Sequence, residues 1–307
     1  MFSPEGVYAA MMTPFGEDGK ADIPEIRRMT EFIIDGGVDG LFPVSNVGEA
    51  IHLSANEKKR FIEAVADQAN GRVKITPGIC CASTDESVSL LEFCEDIGAD
   101  GVVICPPYYF SYPEEVIYHS IAAVAKRSKL PVILYNIPKY TSPITPSVLA
   151  RLLDIDSVTA MKDSSGSIAD LLTFLEIAAK KKNFNILVGW EEMLASAMTV
   201  GAKGCMVASG GIFPEIMSAI YGCMKNGEYE KAARLQKIIP RATAEMKKVF
   251  FPYGYKLAIA ARGFDMGGCK IEHGGTLEDE KKLIAEAVDE AISDFKKITN
   301  MNPVSME

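Results

Sequence analysis

A four-residue turn occurs three times in this chain, as Gly37-Val38-Asp39-Gly40, Gly98-Ala99-Asp100-Gly101 and Gly201-Ala202-Lys203-Gly204. Each copy follows a stretch with helical spacing of apolar residues and precedes a short apolar run: Leu41 to Val44, Val102 to Cys105 and Cys205 to Ala208. Glycine closes helices in the left-handed conformation, and an apolar run bounded by turns reads as a strand buried on both faces. The repeated unit is therefore the helix-to-strand junction of a parallel α/β protein.

Between these anchors the pattern predicts eight strands: Val7 to Met12, Leu41 to Val44, Lys74 to Pro77, Val102 to Cys105, Val132 to Tyr135, Val158 to Lys162, Ile186 to Val188 and Cys205 to Ala208. Amphipathic stretches separate them, such as Ile62, Val65, Ala66 and Ala69, or Leu90, Cys94 and Ile97. Helix starts are signalled by the capping box Ser54 with Glu57, by Pro24 and Pro113, and by Thr145 before Pro146. Eight strand-helix units within residues 1–225 predict an α/β fold of the (β/α)8 TIM-barrel type. An open doubly wound sheet would carry a glycine-rich dinucleotide loop after its first strand, whereas this chain has Thr13-Pro14-Phe15-Gly16. Residues 226–307 read as a helical C-terminal extension, with helices over Glu228 to Val249, around Lys256 to Ala261, and over Leu277 to Ile298. In the last of these Ile284, Val288, Ile292 and Phe295 share one face.

Charge narrows the function classes. A net charge of −9 repels nucleic-acid phosphates and anionic lipid, so neither is expected as a partner. No basic segment precedes an apolar stretch at the N-terminus, and no charge-free run approaches the roughly 18 residues of a spanning helix. The 7 cysteines are odd in number and lack CxxC spacing, which predicts reduced thiols in a cytoplasmic protein. His52, His119 and His273 are far apart and show no ligand spacing, so no metal is expected. There is no GxSxG elbow or P-loop.

In a barrel of this type chemistry sits at the C-terminal ends of the strands. Lys162 ends the otherwise uncharged strand Val158 to Met161, where desolvation lowers a lysine pKa far enough for the amine to attack a carbonyl carbon. The alternative is a solvated lysine paired with Asp163. Tyr135 ends the neighbouring strand and is either a proton-transferring phenol or an aromatic core residue. The turn from Asn46 to Glu49 could present backbone N–H groups to a carboxylate, and Ser209-Gly210-Gly211 after strand eight weakly suggests an anion cup.

Taken together, VGE after strand two, PPYY after four, YNIP ending five and KDSSG ending six closely resemble the dihydrodipicolinate synthase and N-acetylneuraminate lyase family of pyruvate-dependent class I aldolases. The resemblance runs from about Gly6 into the C-terminal helices. It implies a barrel with a helical extension, assembled as a homotetramer built from two dimers. It also implies Lys162 as the Schiff-base lysine, with the substrate held covalently and no separate cofactor, and Tyr135 as the proton-transferring phenol. Tyr109 matches the tyrosine that reaches an active site across the tight dimer interface, and Gly48 belongs to the loop that grips the pyruvate carboxylate.

The departures bear on substrate. Where the family loop carries two hydroxyl residues before Gly-Glu, this chain has Asn46 and Val47. The lysine-pathway synthase usually places an arginine two residues after YNxP to clamp an aldehyde's carboxylate, and here Tyr140 stands there, preceded by Lys139. Trp190-Glu191-Glu192 resembles the segment that sialic acid lyases use on substrate hydroxyls. With Ser209, these residues form the expected substrate-binding set. The expectation is a carbon–carbon lyase joining or cleaving pyruvate and an aldehyde, with a deoxy 2-oxo sugar acid or sialic-acid-like substrate placed ahead of dihydrodipicolinate synthesis from pyruvate and aspartate semialdehyde. A catalytically silent homologue that only binds a 2-oxo acid is the reading from another class.

Overall fold

A computed structural model describes residues 2–272, 274 and 277–305; His273 lies outside them. Eight parallel strands alternate with helices. The strands are β1 (Gly6–Ala10), β2 (Gly40–Phe42), β3 (Lys74–Ile75), β4 (Val102–Ile104), β5 (Val132–Asn136), β6 (Val158–Asp163), β7 (Asn185–Val188) and β8 (Gly204–Val207). The helices of the barrel are α1 (Ile23–Asp35), α2 (Ala55–Ala69), α3 (Thr84–Asp96), α4 (Glu114–Ala125), α5 (Pro146–Leu152), α6 (Ile168–Ala178), α7 (Leu194–Thr199), α8 (Ser209–Ile212) and α9 (Pro214–Lys225). The extension consists of α10 (Tyr229–Gln236), α11 (Ile238–Met246), α12 (Tyr253–Ala260) and α13 (Glu278–Thr299). No helix among the described residues is long and apolar enough to cross a membrane.

Strand order runs β3-β2-β1-β8-β7-β6-β5-β4, and backbone bonds between the two outermost members close the circle. Gly78 pairs with Val103 in parallel, Ile79 N donates to Val103 O at 2.9 Å, and Val103 N donates to Pro77 O at 2.8 Å. The expected (β/α)8 barrel is thus present. β3 is shorter than the run Lys74 to Pro77 because proline has no N–H to give to a ladder.

Local signals act as read. Ser54 and Glu57 make the reciprocal capping box of α2, and the Thr145 side chain accepts from Val148 N at the start of α5. In the repeated turn Gly37, Gly98 and Gly201 take φ of 83°, 74° and 117°, a region that side chains with a Cβ rarely enter. One expectation is corrected. The stretch Glu228 to Val249 is two helices rather than one, broken at Lys237, because Pro240 cannot donate to the carbonyl of Gln236 and its ring would collide with it. The apolar stripe of α13 faces inward, with Ile284, Val288 and Phe295 buried.

Candidate active site

β5 and β6 are buried along their whole length, which fixes the direction of every side chain on them by simple alternation. Tyr135 and Lys162 are partners in the β5–β6 register and share the inner face. Asn136 and Asp163, the next pair, turn the other way: Asn136 Nδ2 donates to Asp163 Oδ1 at 2.8 Å, and Ser165 Oγ donates to Asp163 Oδ2 at 2.8 Å. Asp163 is therefore occupied elsewhere and does not pair with Lys162.

The Lys162 amine lies 4.1 Å from the Tyr135 ring centre and 5.0 Å from that of Phe42. It forms no salt bridge among the described residues. Burial brings its pKa down to about 7, opposed only by the negative tendency of Glu191, Cys80 and Cys205 nearby. A substantial fraction of the amine is then neutral near pH 7. Burial pushes the Tyr135 phenol up, against a hydrogen bond with Ser164, so this residue holds its proton at neutral pH. Gly189 makes room for the lysine: a Cβ there would stand 1.9 Å from Ser164 Oγ and 3.0 Å from Lys162 Cε.

These groups open on a cavity of about 450 Å³ lined by Ser45, Asn46, Val47, Tyr135, Tyr140, Lys162, Ser164, Trp190 and Glu191, with Lys247, Phe250 and Tyr255 from the extension side. The loop after β2 is pinned on both sides. Ser45 Oγ donates to Met11 O at 2.8 Å, Thr13 Oγ1 donates to Gly48 O at 2.6 Å, and Gly48 N donates to Ser45 O at 3.0 Å. Glu49, held at φ 58°, accepts from Lys256 Nζ at 3.2 Å and from Lys270 N at 2.8 Å. The Lys256 and Glu49 side chains are 0% and 1% exposed, so an ion pair shielded from water ties α12 to this loop.

Of the expected site residues, Lys162, Tyr135, Asn46, Val47, Tyr140 and Glu191 share the cavity wall. Gly48 lies just behind it. Glu191 is buried, and that burial together with Glu192 raises its carboxyl pKa. Glu192 points away, accepting from Thr243 Oγ1 at 3.0 Å and pairing with Lys247. Ser209 opens α8 fully buried, outside the cavity lining, and its hydroxyl has no hydrogen-bond partner among the described residues. Tyr109 is 89% exposed at φ 79°, with its ring edge-on to Phe110. It lines a second cavity of about 420 Å³ that shares Asn46, Tyr135, Ile137, Tyr140 and Phe251 with the first. Sequence reasoning gave no role to Ser45, which stands next to the Asn46 to Glu49 turn, or to Ser164, which lies within the quoted KDSSG. It also missed Lys247 and Tyr255, which no local signal distinguishes from ordinary helix residues.

The model of the dihydrodipicolinate synthetase family matches residues 3–291. The chain belongs to that family. The family is a set of carbon–carbon lyases, and this member is a pyruvate-dependent aldolase in that broad sense. Among family relatives, it is 31% identical over 273 residues to the 4-hydroxy-tetrahydrodipicolinate synthase of Methanococcus vannielii, covering 87% of this chain and 91% of the relative. A solved prophage protein of the family from E. coli K12, in complex with pyruvate, is 26% identical with a TM-score of 0.86, covering 94% of this chain and 98% of that one. The 2-keto 3-deoxygluconate aldolase of Picrophilus torridus is 26% identical with a TM-score of 0.80, covering 86% and 95%.

Proposed function

We propose that Lys162 captures pyruvate as a Schiff base and that the cavity makes or breaks the carbon–carbon bond next to it. The observation that carries this is a buried amine, with no salt bridge among the described residues, set opposite Tyr135 at the cavity wall. The neutral amine adds to the ketone carbon, water leaves, and the resulting iminium withdraws electrons from the bond between C3 and C4. In cleavage, the C4 hydroxyl gives up its proton as that bond breaks, leaving a pyruvate enamine and a free aldehyde. Tyr135, with Ser164 beside its hydroxyl, is the group placed to give its phenolic proton to the departing carbinolamine hydroxyl, and the phenolate so formed takes the C4 hydroxyl proton. Backbone N–H groups near Asn46 and Val47, with the Asn46 amide, receive the carboxylate. No cofactor is required.

The non-pyruvate half meets Glu191, Trp190, Tyr140 and Lys139. A carboxylate acceptor and a phenol suit a polyhydroxylated chain, which supports a deoxy 2-oxo sugar acid or sialic-acid-like substrate, and the likeness to the 2-keto 3-deoxygluconate aldolase points the same way. Dihydrodipicolinate synthesis is the second reading, favoured by the identity to the Methanococcus vannielii enzyme. Against it stands Tyr140, a poor substitute for a bidentate arginine on a carboxylate. The exposed pair Tyr109 and Phe110 supports a homo-oligomer, a dimer of dimers, in which Tyr109 reaches toward a neighbouring site. A cytoplasmic location belongs to the same reading and rests on the cysteine usage.

Borohydride reduction with pyruvate tests the core of this proposal. One adduct per chain on Lys162 is the expected result, and a folded protein without it is the silent homologue instead. Pyruvate release from a panel of 2-oxo sugar acids, set against condensation of pyruvate with aspartate semialdehyde, orders the two substrate readings.

A further inference from the structure

Two thiols stand in register at the seam where the barrel closes. Pairing of Gly78 with Val103 sets residue 80 opposite residue 105 two positions further along. Neighbouring strands run about 4.7–4.9 Å apart, and disulfides span Cα separations of about 4.4–6.8 Å. The Cys80 sulfur already meets the backbone of the other strand, accepting from Cys105 N at 3.2 Å and facing Val103 O at 3.6 Å, and the two thiols are hydrogen-bonded to each other. Both cysteines are half-buried, and both line the second cavity together with Tyr135 and Phe42. A small molecule in that cavity thus reaches the sulfurs from the side that also carries the Tyr135 ring.

We propose that Cys80 and Cys105 form an oxidisable pair, which a hydroperoxide couples into a reversible disulfide that slows 2-oxo-acid capture at Lys162. The second half rests on the Schiff-base reading given above. The Cys80 thiolate attacks one peroxide oxygen, the O–O bond breaks, and a sulfenic acid and one water or alcohol result. Cys105 sulfur then displaces the sulfenic hydroxyl, the S–S bond forms, and the hydroxyl leaves with a proton as water. Two thiols are oxidised by two electrons, and the peroxide is reduced.

The order of attack follows from the surroundings. Hydrogen bonds from the Cys105 thiol and backbone N–H, together with the positive charges of Lys162 and Lys58, lower the Cys80 pKa against its burial. The hydrogen bond to Cys80, and then burial, raise that of Cys105. Closing two sulfurs to about 2.05 Å reorients both cysteine side chains on the cavity wall and displaces the neighbours packed against them. Tyr135 packs on the same wall, and displacement by about 1 Å at a reacting group is enough to cost one to two orders of magnitude in rate.

The test uses the reduced full chain, treated with hydrogen peroxide, alkylated and cut at glutamates, since Glu86, Glu92 and Glu95 separate Cys80 from Cys105. The expected product is a linked pair of fragments that dithiothreitol separates. Cys105→Ser abolishes the link and Cys81→Ser leaves it. Trapping of pyruvate with cyanoborohydride, which reduces the iminium and leaves the disulfide intact, is expected to slow about tenfold or more in the linked protein and to recover after dithiothreitol treatment. No link, a link through Cys81, or a Cys80–Cys105 link with an unchanged trapping rate overturns the proposal. A reduced protein that gives no pyruvate adduct overturns the Schiff-base reading instead, and the fragment masses tell that failure from a failure of thiol coupling.

Discussion

Lys162 faces Tyr135 across one rung of the β5–β6 ladder, its amine 4.1 Å from the ring centre and without a salt-bridge partner among the described residues. A ring face without a carboxylate leaves the amine poorly compensated for its lost hydration, and this is why its proton comes off near neutral pH.

Pyruvate capture is therefore expected to rise with pH through about 7 and level off above it, because only the neutral amine attacks and burial lowers the Lys162 pKa to that value. Initial rates of borohydride-trapped adduct between pH 5 and 9 check this. A rate that is flat over that range, or rises only near pH 10, contradicts the assignment.

Tyr135→Phe keeps the ring that packs edge-on to Phe42 and removes the hydroxyl. The fold is expected to survive and turnover to fall by about 10²–10⁴-fold, the usual contribution of a positioned acid or base. Adduct formation and steady-state turnover, read beside the melting temperature, separate a chemical role from a packing one.

The two adjacent glutamates are expected to behave differently. Glu191→Gln alters the cavity wall and should raise KM for a hydroxylated substrate, whereas Glu192→Gln disturbs contacts to Thr243 and Lys247. The second change should leave KM nearly unchanged and cost about 0.5–1.5 kcal/mol of stability, the net contribution of an ordinary hydrogen bond. Equal effects on KM would show that both carboxylates reach the substrate.

Lys256→Met leaves the buried Glu49 with the Lys270 N–H and His52 but without its ammonium partner, and breaking one side of a buried ion pair typically costs about 3–5 kcal/mol. Urea unfolding should show that loss, with Glu49→Gln in the same chain restoring part of it. If the single variant is as stable as the parent, the pair does not hold the loop.

Much of the fold was legible because the barrel writes itself locally. A helix, a left-handed glycine and an apolar run recur at Gly37, Gly98 and Gly201, and each run is a strand. Lys162 was legible for a related reason: a charged residue ending an apolar strand is conspicuous, and alternation sends Asp163 to the opposite face. Direction failed where alternation no longer applies. Glu191 and Glu192 begin a 3-10 turn, in which successive residues diverge, and so only one of them faces the cavity. Lys247, Lys256 and the pairing of Cys80 with Cys105 depend on residues distant in sequence that closure of the ring brings together, and no local pattern encodes such meetings. Pro240 was visible, and its missing N–H splits the helix that periodicity alone had joined.

The tie between Glu49 and Lys256 spans 207 positions in the chain. Translation proceeds from the N-terminus at about 5–20 residues per second, so roughly 10 to 40 s separate the synthesis of one partner from that of the other. All eight strands exist only once β8 ends at Val207, and from then until Lys256 is made the loop after β2 lacks this fastening. Competence is thus deferred to the last quarter of synthesis, and a chain released early carries Lys162 without the brace that readies its pocket.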